Sequence, residues 1–148
     1  MTTMAPEIRS LEPAESRAFL SRHRVGRIAY SFHDRVDIEP ISYVYENGWI
    51  YLRTSMGTKL SRLAHQPWCA FEVDEVHAMF EWTSVVVHGS LHLLDPETGS
   101  DSYLRALELL RRLVPDTFAP NDPTPERTII VGIHVDEISG RTAAIRTA

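Results

Sequence analysis

Alternating apolar and polar positions run through most of the chain and predict short strands joined by tight turns. The strongest turn signal is Asn47-Gly48, because both residue types tolerate the positive φ of a type I′ hairpin. Gly89 interrupts a long β-branched stretch and predicts a bulge or a bend. Strands are predicted at 25–32, 36–45, 49–54, 68–73, 82–94 and 128–138.

Apolar residues at helical spacing predict helices at 10–23, 57–65 and 101–114. Ser10 is the expected N-cap of the first helix, and Ser100 or Asp101 that of the last, which Pro115 ends. Few helices separate the five or six strands, so the order favours an antiparallel, barrel-like sheet over a doubly wound fold. Residues 1–148 are interpreted as one domain.

Composition narrows the function classes. The chain has 148 residues, 43% of them hydrophobic, and a net charge of -5, so it can bury one core without a disulfide. The single cysteine, Cys69, favours a reducing, cytoplasmic setting and is expected to be a core thiol. No apolar run is long enough for a membrane span, the acidic balance disfavours nucleic-acid binding, and the seven histidines show no metal-ligand pattern.

The hairpin at Asn47-Gly48 has two predicted faces. Its register places Val44 opposite Tyr51 and Ser42 opposite Arg53. An apolar face, expected in the core, carries Ile41, Tyr43, Tyr45, Ile50 and Leu52. The other face mixes aromatic, polar and cationic residues: Pro40, Ser42, Val44, Trp49, Tyr51, Arg53 and Ser55. This mixed face suits a planar ligand with an anionic tail, and it equally suits a subunit interface.

The segment 51–60 passes from a predicted strand into a predicted helix and carries the donors that a phosphate needs. Arg53 can bind two phosphate oxygens, and Lys59, the only lysine among fifteen basic residues, adds a mobile charge. Thr54 and Ser55 add hydroxyl groups. The alternative is a capped helix with both cations in solvent. The spacing of a nucleotide P-loop is missing.

Four carboxylates lie between the end of the predicted strand at 68–73 and the start of the one at 82–94. They could serve as acids or bases, but the pattern favours a solvated strand edge and loop. These residues are Glu72, Asp74, Glu75 and Glu81.

Five short motifs resemble the pyridoxamine 5′-phosphate oxidase-like, FMN-binding split-barrel superfamily, and within it the nitroimidazole-resistance-like flavoproteins. The motifs are Val-Gly-Arg-Ile-Ala at 25–29, Pro-Ile-Ser-Tyr at 40–43, Arg-Thr at 53–54 with Gly-Thr-Lys at 57–59, Phe-Glu-Val-Asp at 71–74, and Trp-Thr-Ser-Val-Val-Val at 82–87 with Gly89. Together they span most of residues 10–95.

The resemblance implies a mainly β, six-stranded antiparallel split β-barrel with peripheral helices, and a homodimer with one FMN per protomer between the subunits. The residues that would hold the FMN phosphate are Arg53, Thr54, Ser55 and Lys59. Backbone groups would line the isoalloxazine ring at Pro40, Ile41, Ser42 and Tyr43. Trp82 and Ser84 would approach the ring from the same chain or from its partner.

The implied function is a flavin-dependent oxidoreductase acting on a small molecule, with no catalytic side chain assigned. The arginine-bearing tail of true pyridoxamine phosphate oxidases is missing, and only Arg141 and Arg146 lie near the end, so that activity is not expected. Arg53 stands where some nitroimidazole-resistance members have histidine, so their chemistry is not carried over. Two alternatives stay open: a deazaflavin coenzyme in place of FMN, and a non-catalytic flavin or haem carrier or sensor.

Overall fold

The computed structural model describes residues 4–55, 57, 67–98 and 100–147, and these form eight strands and two helices. The strands are β1 (Met4–Ser10), β2 (Val25–Phe32), β3 (Arg35–Ser42), β4 (Val44–Glu46), β5 (Trp49–Thr54), β6 (Trp68–Ala78), β7 (Glu81–Leu93) and β8 (Ile129–Thr147). The helices are α1 (Pro13–Arg22) and α2 (Asp101–Leu113). The helix predicted at 57–65 lies outside the described residues, except for Gly57.

All eight strands belong to one antiparallel sheet in the order β3-β2-β6-β7-β8-β5-β4, with β1 beside β8. β3 and β4 at its two ends are separated only by Tyr43, whose N–H donates to the carbonyl of Arg24 at 2.9 Å. The chain therefore passes at Tyr43 directly from the first strand in the sheet order to the last. If β3 and β4 count as one bent strand and β1 is set aside, the six predicted barrel strands are present, and the predicted fold class is confirmed.

One strand was not predicted, and two others run well beyond their predicted ends. β1 was not predicted, β6 continues to Ala78, and β8 continues to Thr147. The extensions of β6 and β8 pair along β7, and all seven residues of β1 pair with the end of β8. Pairing between segments distant in sequence extends these strands beyond what their local patterns indicate.

The two described helices begin differently. Ser10 was expected to cap α1, but it ends β1; Glu12 is the N-cap instead, and its N–H donates to the Glu15 carboxylate at 3.1 Å. For α2, the predicted cap is confirmed, because the Ser100 hydroxyl accepts from the N–H of Tyr103.

Gly89 lies where β7 and β8 approach each other too closely for a side chain. A Cβ on Gly89 would lie 1.9 Å from the carbonyl oxygen of His134, so no side chain fits there. The pairing of β7 with β8 shifts register between His88 and Gly89, which confirms the predicted bulge.

The core lies inside the barrel. The largest fully buried side chains include Leu20, Tyr43, Ile50, Leu52, Phe71, Val85, Val87 and Ile133.

Replacing Ser16 with alanine is expected to stabilise the protein by about 1 kcal/mol, because its hydroxyl is buried without a hydrogen-bond partner. Ser21 lies on the same helix and donates its hydroxyl to the Arg17 carbonyl at 2.9 Å in an exposed position. Ser21→Ala is the matched control, since both variants gain the same helix propensity. Urea unfolding midpoints compare the two, and a Ser16→Ala variant no more stable than the control would contradict the prediction.

Candidate functional site

The hairpin has the predicted turn and register. Asn47 and Gly48 both have positive φ, and the pairs Val44–Tyr51 and Glu46–Trp49 lie opposite each other. Four of the residues expected in the core are buried and the fifth, Tyr45, packs against them. The four buried residues are Ile41, Tyr43, Ile50 and Leu52.

The predicted ring-lining segment 40–43 divides between the core and the surface. The Tyr43 hydroxyl donates to the carbonyl of Leu20 at 2.6 Å, and burial raises the pKa of this phenol well above its usual range. Ile41 also points into the core, whereas Pro40 and Ser42 are exposed. Only these last two can offer side chains to a surface ligand.

Helix α2 covers part of the mixed face, which the sequence did not predict. Tyr51 is buried with Leu109, Leu110 and other residues of a second apolar cluster, against which Trp49 packs. The Arg105 guanidinium of α2 also makes two hydrogen bonds to the Glu46 carboxylate, at 2.5 and 2.8 Å. This portion of the face is therefore internal.

Arg53 uses all five of its N–H donors within the chain. Its Nε donates to the carbonyl of Arg127 at 3.1 Å. Nη1 donates to Oδ1 of Asp122 at 3.1 Å and to the hydroxyl of Thr124 at 3.2 Å. Nη2 donates to Oδ2 of Asp122 at 2.5 Å and to the carbonyl of Thr124 at 3.2 Å. A phosphate contact from Arg53 stays a prediction, and it requires the release of at least one of these bonds.

Asp122, the buried ion-pair partner of Arg53, was not identified in the sequence analysis. Its side chain is 3% exposed, and its hydrogen bond with Arg53 holds the pKa of this carboxyl well below the usual range. The same carboxylate accepts from the N–H groups of Phe118 and Thr124. The turn signal Asp-Pro-Thr at 122–124 could indicate the Thr124 contact, but nothing local indicates Arg53.

The remaining predicted phosphate ligands follow Arg53. Thr54 is half-buried at the end of β5, Ser55 is exposed, and Lys59 lies outside the described residues. Ser42 and Arg53, which were expected to face each other, line one cavity of about 100 Å³ together with Thr124 and Arg127. Phosphate binding by this group stays a prediction.

A second group of predicted residues lies on the outside of the barrel. Pro40 pairs with Arg27, Arg27 with Glu72, and Glu72 with Val86. Directly opposed residues of antiparallel strands share a face, so these four form a row roughly 14 Å long across β3, β2, β6 and β7. We call this side of the four strands the outer sheet face.

The outer sheet face also carries Ser42, Ser84 and Trp82, because side chains two residues apart on a strand point the same way. Ser84 and Trp82 are half-buried. The register therefore places four of the predicted flavin contacts, Pro40, Ser42, Trp82 and Ser84, on one surface.

The sequence analysis favoured a solvated strand edge and loop for Glu72 and Asp74, but both lie within β6 and on this surface. The Ser84 hydroxyl donates to Oε2 of Glu72 at 3.0 Å, and Nη1 of Arg27 lies 3.4 Å from Oε1 of Glu72 and 3.6 Å from Asp74. Burial, then the hydrogen bond with Asp74, raises the pKa of the Glu72 carboxyl. Glu75 is on the same strand, where it pairs with His23 at 2.7 Å.

Exposed apolar side chains surround Arg27 and Glu72 on the outer sheet face. Trp68 is 67% exposed and Val76 69%, and Val25, Val36 and Ile38 are each at least half exposed. Large exposed apolar surfaces of this kind mark interaction sites.

The structure also bears on the metal, membrane and cysteine predictions. Among residues 4–55, 57, 67–98 and 100–147, no three histidine, cysteine or acidic side chains are grouped to hold a metal ion. No helix within these residues is long and apolar enough to cross a membrane. Cys69 is a buried free thiol whose pKa burial raises to about 12, which confirms the predicted core cysteine.

Solved structures of similar fold include flavin-binding proteins. A FAD-binding protein from Mesorhizobium loti is 25% identical with a TM-score of 0.75, covering 93% of this chain and 98% of its own. A FAD-binding protein from Mycobacterium smegmatis is 23% identical with a TM-score of 0.66, covering 90% and 99%. A candidate 5-nitroimidazole antibiotic resistance protein from Bacteroides thetaiotaomicron is 15% identical with a TM-score of 0.73, covering 100% and 95%.

Among curated proteins, none matches the chain. The family model described as pyridoxamine 5′-phosphate oxidase matches residues 12–142, which include both helices, the outer sheet face and most of β8. The chain belongs to the pyridoxamine 5′-phosphate oxidase family.

Proposed function

We propose that this protein binds a flavin on the outer sheet face and acts as a flavin-dependent oxidoreductase on a small molecule. The observation that carries the proposal is the family match over residues 12–142, supported by the FAD-binding relative from M. loti. FMN is the specific cofactor proposed. FAD is the second candidate, because that relative binds it.

The residues of the outer sheet face fit the ring of a flavin. Exposed Pro40 and Ser42 at one end, and half-buried Trp82 and Ser84 on the same face, provide a flat surface with apolar and hydroxyl groups. A bound flavin would supply the redox chemistry. The chain would orient the ring against the sheet and exclude water from one of its sides.

The phosphate would lie beyond the end of β5. Thr54 and Ser55 offer hydroxyl groups there, and Lys59 follows four residues later in the sequence. Since Asp122 already neutralises Arg53, we propose that the direct contacts come first from these three residues. Arg53 would join them where Asp122 releases one of its bonds.

A second copy of the chain would complete the site. The exposed apolar side chains of the outer sheet face are those that a self-complementary twofold interface buries. In this homodimer Trp82 and Ser84 of one protomer would approach the flavin whose phosphate the other protomer holds.

Native mass spectrometry of the freshly purified protein tests the proposal. The expected species is a dimer that carries two FMN molecules. A mass for FAD supports the second candidate, and colourless protein that binds an added deazaflavin contradicts both.

A second experiment separates an enzyme from a carrier. Anaerobic reduction by NADPH or NADH, followed by steady consumption of an acceptor, would establish an enzyme. Release of flavin without turnover would indicate a carrier.

A further inference from the structure

A charged cluster, formed by Arg27, Glu72 and Asp74, lies within the apolar surface that the proposed dimer buries. Glu72 and Asp74 each have side chains 28% exposed, and Arg27 is their only cationic contact within the described residues. Two carboxylates therefore share one guanidinium, which leaves this cluster with a formal charge of -1 when both carboxylates are ionised. Covering it with a second copy brings two such charges into one interface.

Removal of the remaining water would act most strongly on Glu72. Its carboxyl is already partly desolvated, it accepts a hydrogen bond from the Ser84 hydroxyl, and the neighbouring Asp74 carboxyl helps to raise its pKa. The nearest residues on β7 are Ser84 and Val86, which bring no charge. The other titratable or charged groups on this side of the sheet are His88, opposite Ala70, and two residues of β8: Arg141, opposite Ser84, and Glu137, opposite His88.

We propose that two copies of this chain associate through the outer sheet face with uptake of a proton at Glu72 in each copy, so that the dimer is tighter at lower pH. The inference rests on the homodimer of the proposed function. It adds that the interface is linked to protons and names the group that binds them.

The sign follows from the two states of Glu72. Burial and Asp74 raise the pKa of its carboxyl in the single chain, and covering the face would raise it further. The dimer is then fully favoured below the pKa in the free chain, and it weakens as pH rises through the higher pKa in the dimer. A further rise of about one unit at both copies corresponds to roughly 100-fold in the dimer dissociation constant.

Sedimentation equilibrium of the full chain between pH 5 and pH 8 measures this linkage. The dissociation constant of the wild-type dimer is expected to rise at least about tenfold across the range. Glu72→Gln should remove the slope and remain as tight at pH 8 as the wild type at pH 5. Glu97→Gln, in the exposed turn before α2, is the control and should keep the wild-type slope.

Asp74→Asn is the second variant, in case Glu72→Gln does not fold. It removes the neighbouring negative charge, so the slope should move to lower pH. A wild-type dimer with a pH-independent dissociation constant overturns the inference alone, as does a slope that persists in Glu72→Gln. A monomer at every pH and concentration overturns the proposed homodimer as well.

Discussion

Replacing Arg53 with methionine is expected to lower the thermal unfolding midpoint by roughly 8–15 °C. The substitution keeps an unbranched, flexible side chain that reaches about as far as Nε, but it removes five hydrogen bonds and leaves the Asp122 carboxylate buried without a cation. It also removes the guanidinium from the ring of Phe118, whose centroid lies 4.6 Å away. The loop between α2 and β8 would lose its attachment to the barrel.

Differential scanning calorimetry on the flavin-free protein measures this effect. The control is Arg35→Met, because Arg35 is 74% exposed and its ion pair with Asp37 is a surface pair. This control should shift the midpoint by no more than about 2 °C. An Arg53→Met variant as stable as the control would show that the buried contacts do not hold the loop.

Two further variants separate the charge from the packing. The double variant Arg53→Met with Asp122→Leu removes both charges and should recover part of the lost stability. Asp122→Asn should reduce the sensitivity to acid. The pKa of Asp122 is lowered by Arg53 in the folded chain, so its contribution is present above the ordinary aspartate pKa and is lost as pH falls below it.

Local signals predicted the hairpin well, because its turn and alternation depend on adjacent residues. Asn47 and Gly48 adopt the positive φ that the type I′ turn requires, and four of the five residues on the apolar face are buried. The bulge at Gly89 followed from one glycine in a β-branched stretch. These features involve short segments whose geometry is fixed by steric and burial preferences.

The misses all involve partners that are distant in sequence. Asp122 lies 69 positions from Arg53, and its place in a proline-rich loop indicates a turn but no partner. Helix α2 was predicted, yet nothing in its apolar pattern states that it covers Tyr51. Glu72 has an acidic neighbour two positions away, and the sequence alone cannot show that both occupy a half-buried sheet.

The predicted site residues also fall into two groups: those whose positions follow from strand register, and Arg53, whose partners are distant in sequence. Register arguments on the sheet bring together Pro40, Ser42, Trp82 and Ser84, which the family motifs had named. By contrast, the sequence does not show whether an arginine already has partners in the folded chain. In the structure, all five N–H donors of Arg53 bind groups of the chain, including the Arg127 carbonyl and the Asp122 carboxylate. Because Arg53 already binds Asp122, Lys59 is the cation on which the predicted phosphate site mainly depends.

Lys59→Ala is expected to weaken FMN binding about 10- to 150-fold, because the loss of one charged hydrogen bond to phosphate costs about 1.5–3 kcal/mol. Quenching of flavin fluorescence measures the affinity. Arg146→Ala is the control, since Arg146 is exposed near the end of β8 and its loss should leave affinity unchanged.

Riboflavin, which has the same ring as FMN without the phosphate, makes this test specific to the phosphate. If Lys59 contacts the phosphate, Lys59→Ala should lose affinity for FMN and keep the wild-type affinity for riboflavin. Lys59→Arg should recover much of the FMN affinity, because it restores a cation with hydrogen-bond donors. Equal losses for both flavins would place Lys59 near the ring or in the fold of the segment. Unchanged FMN affinity in a folded Lys59→Ala variant would remove it from the site, and Arg53 would then have to exchange Asp122 for the phosphate.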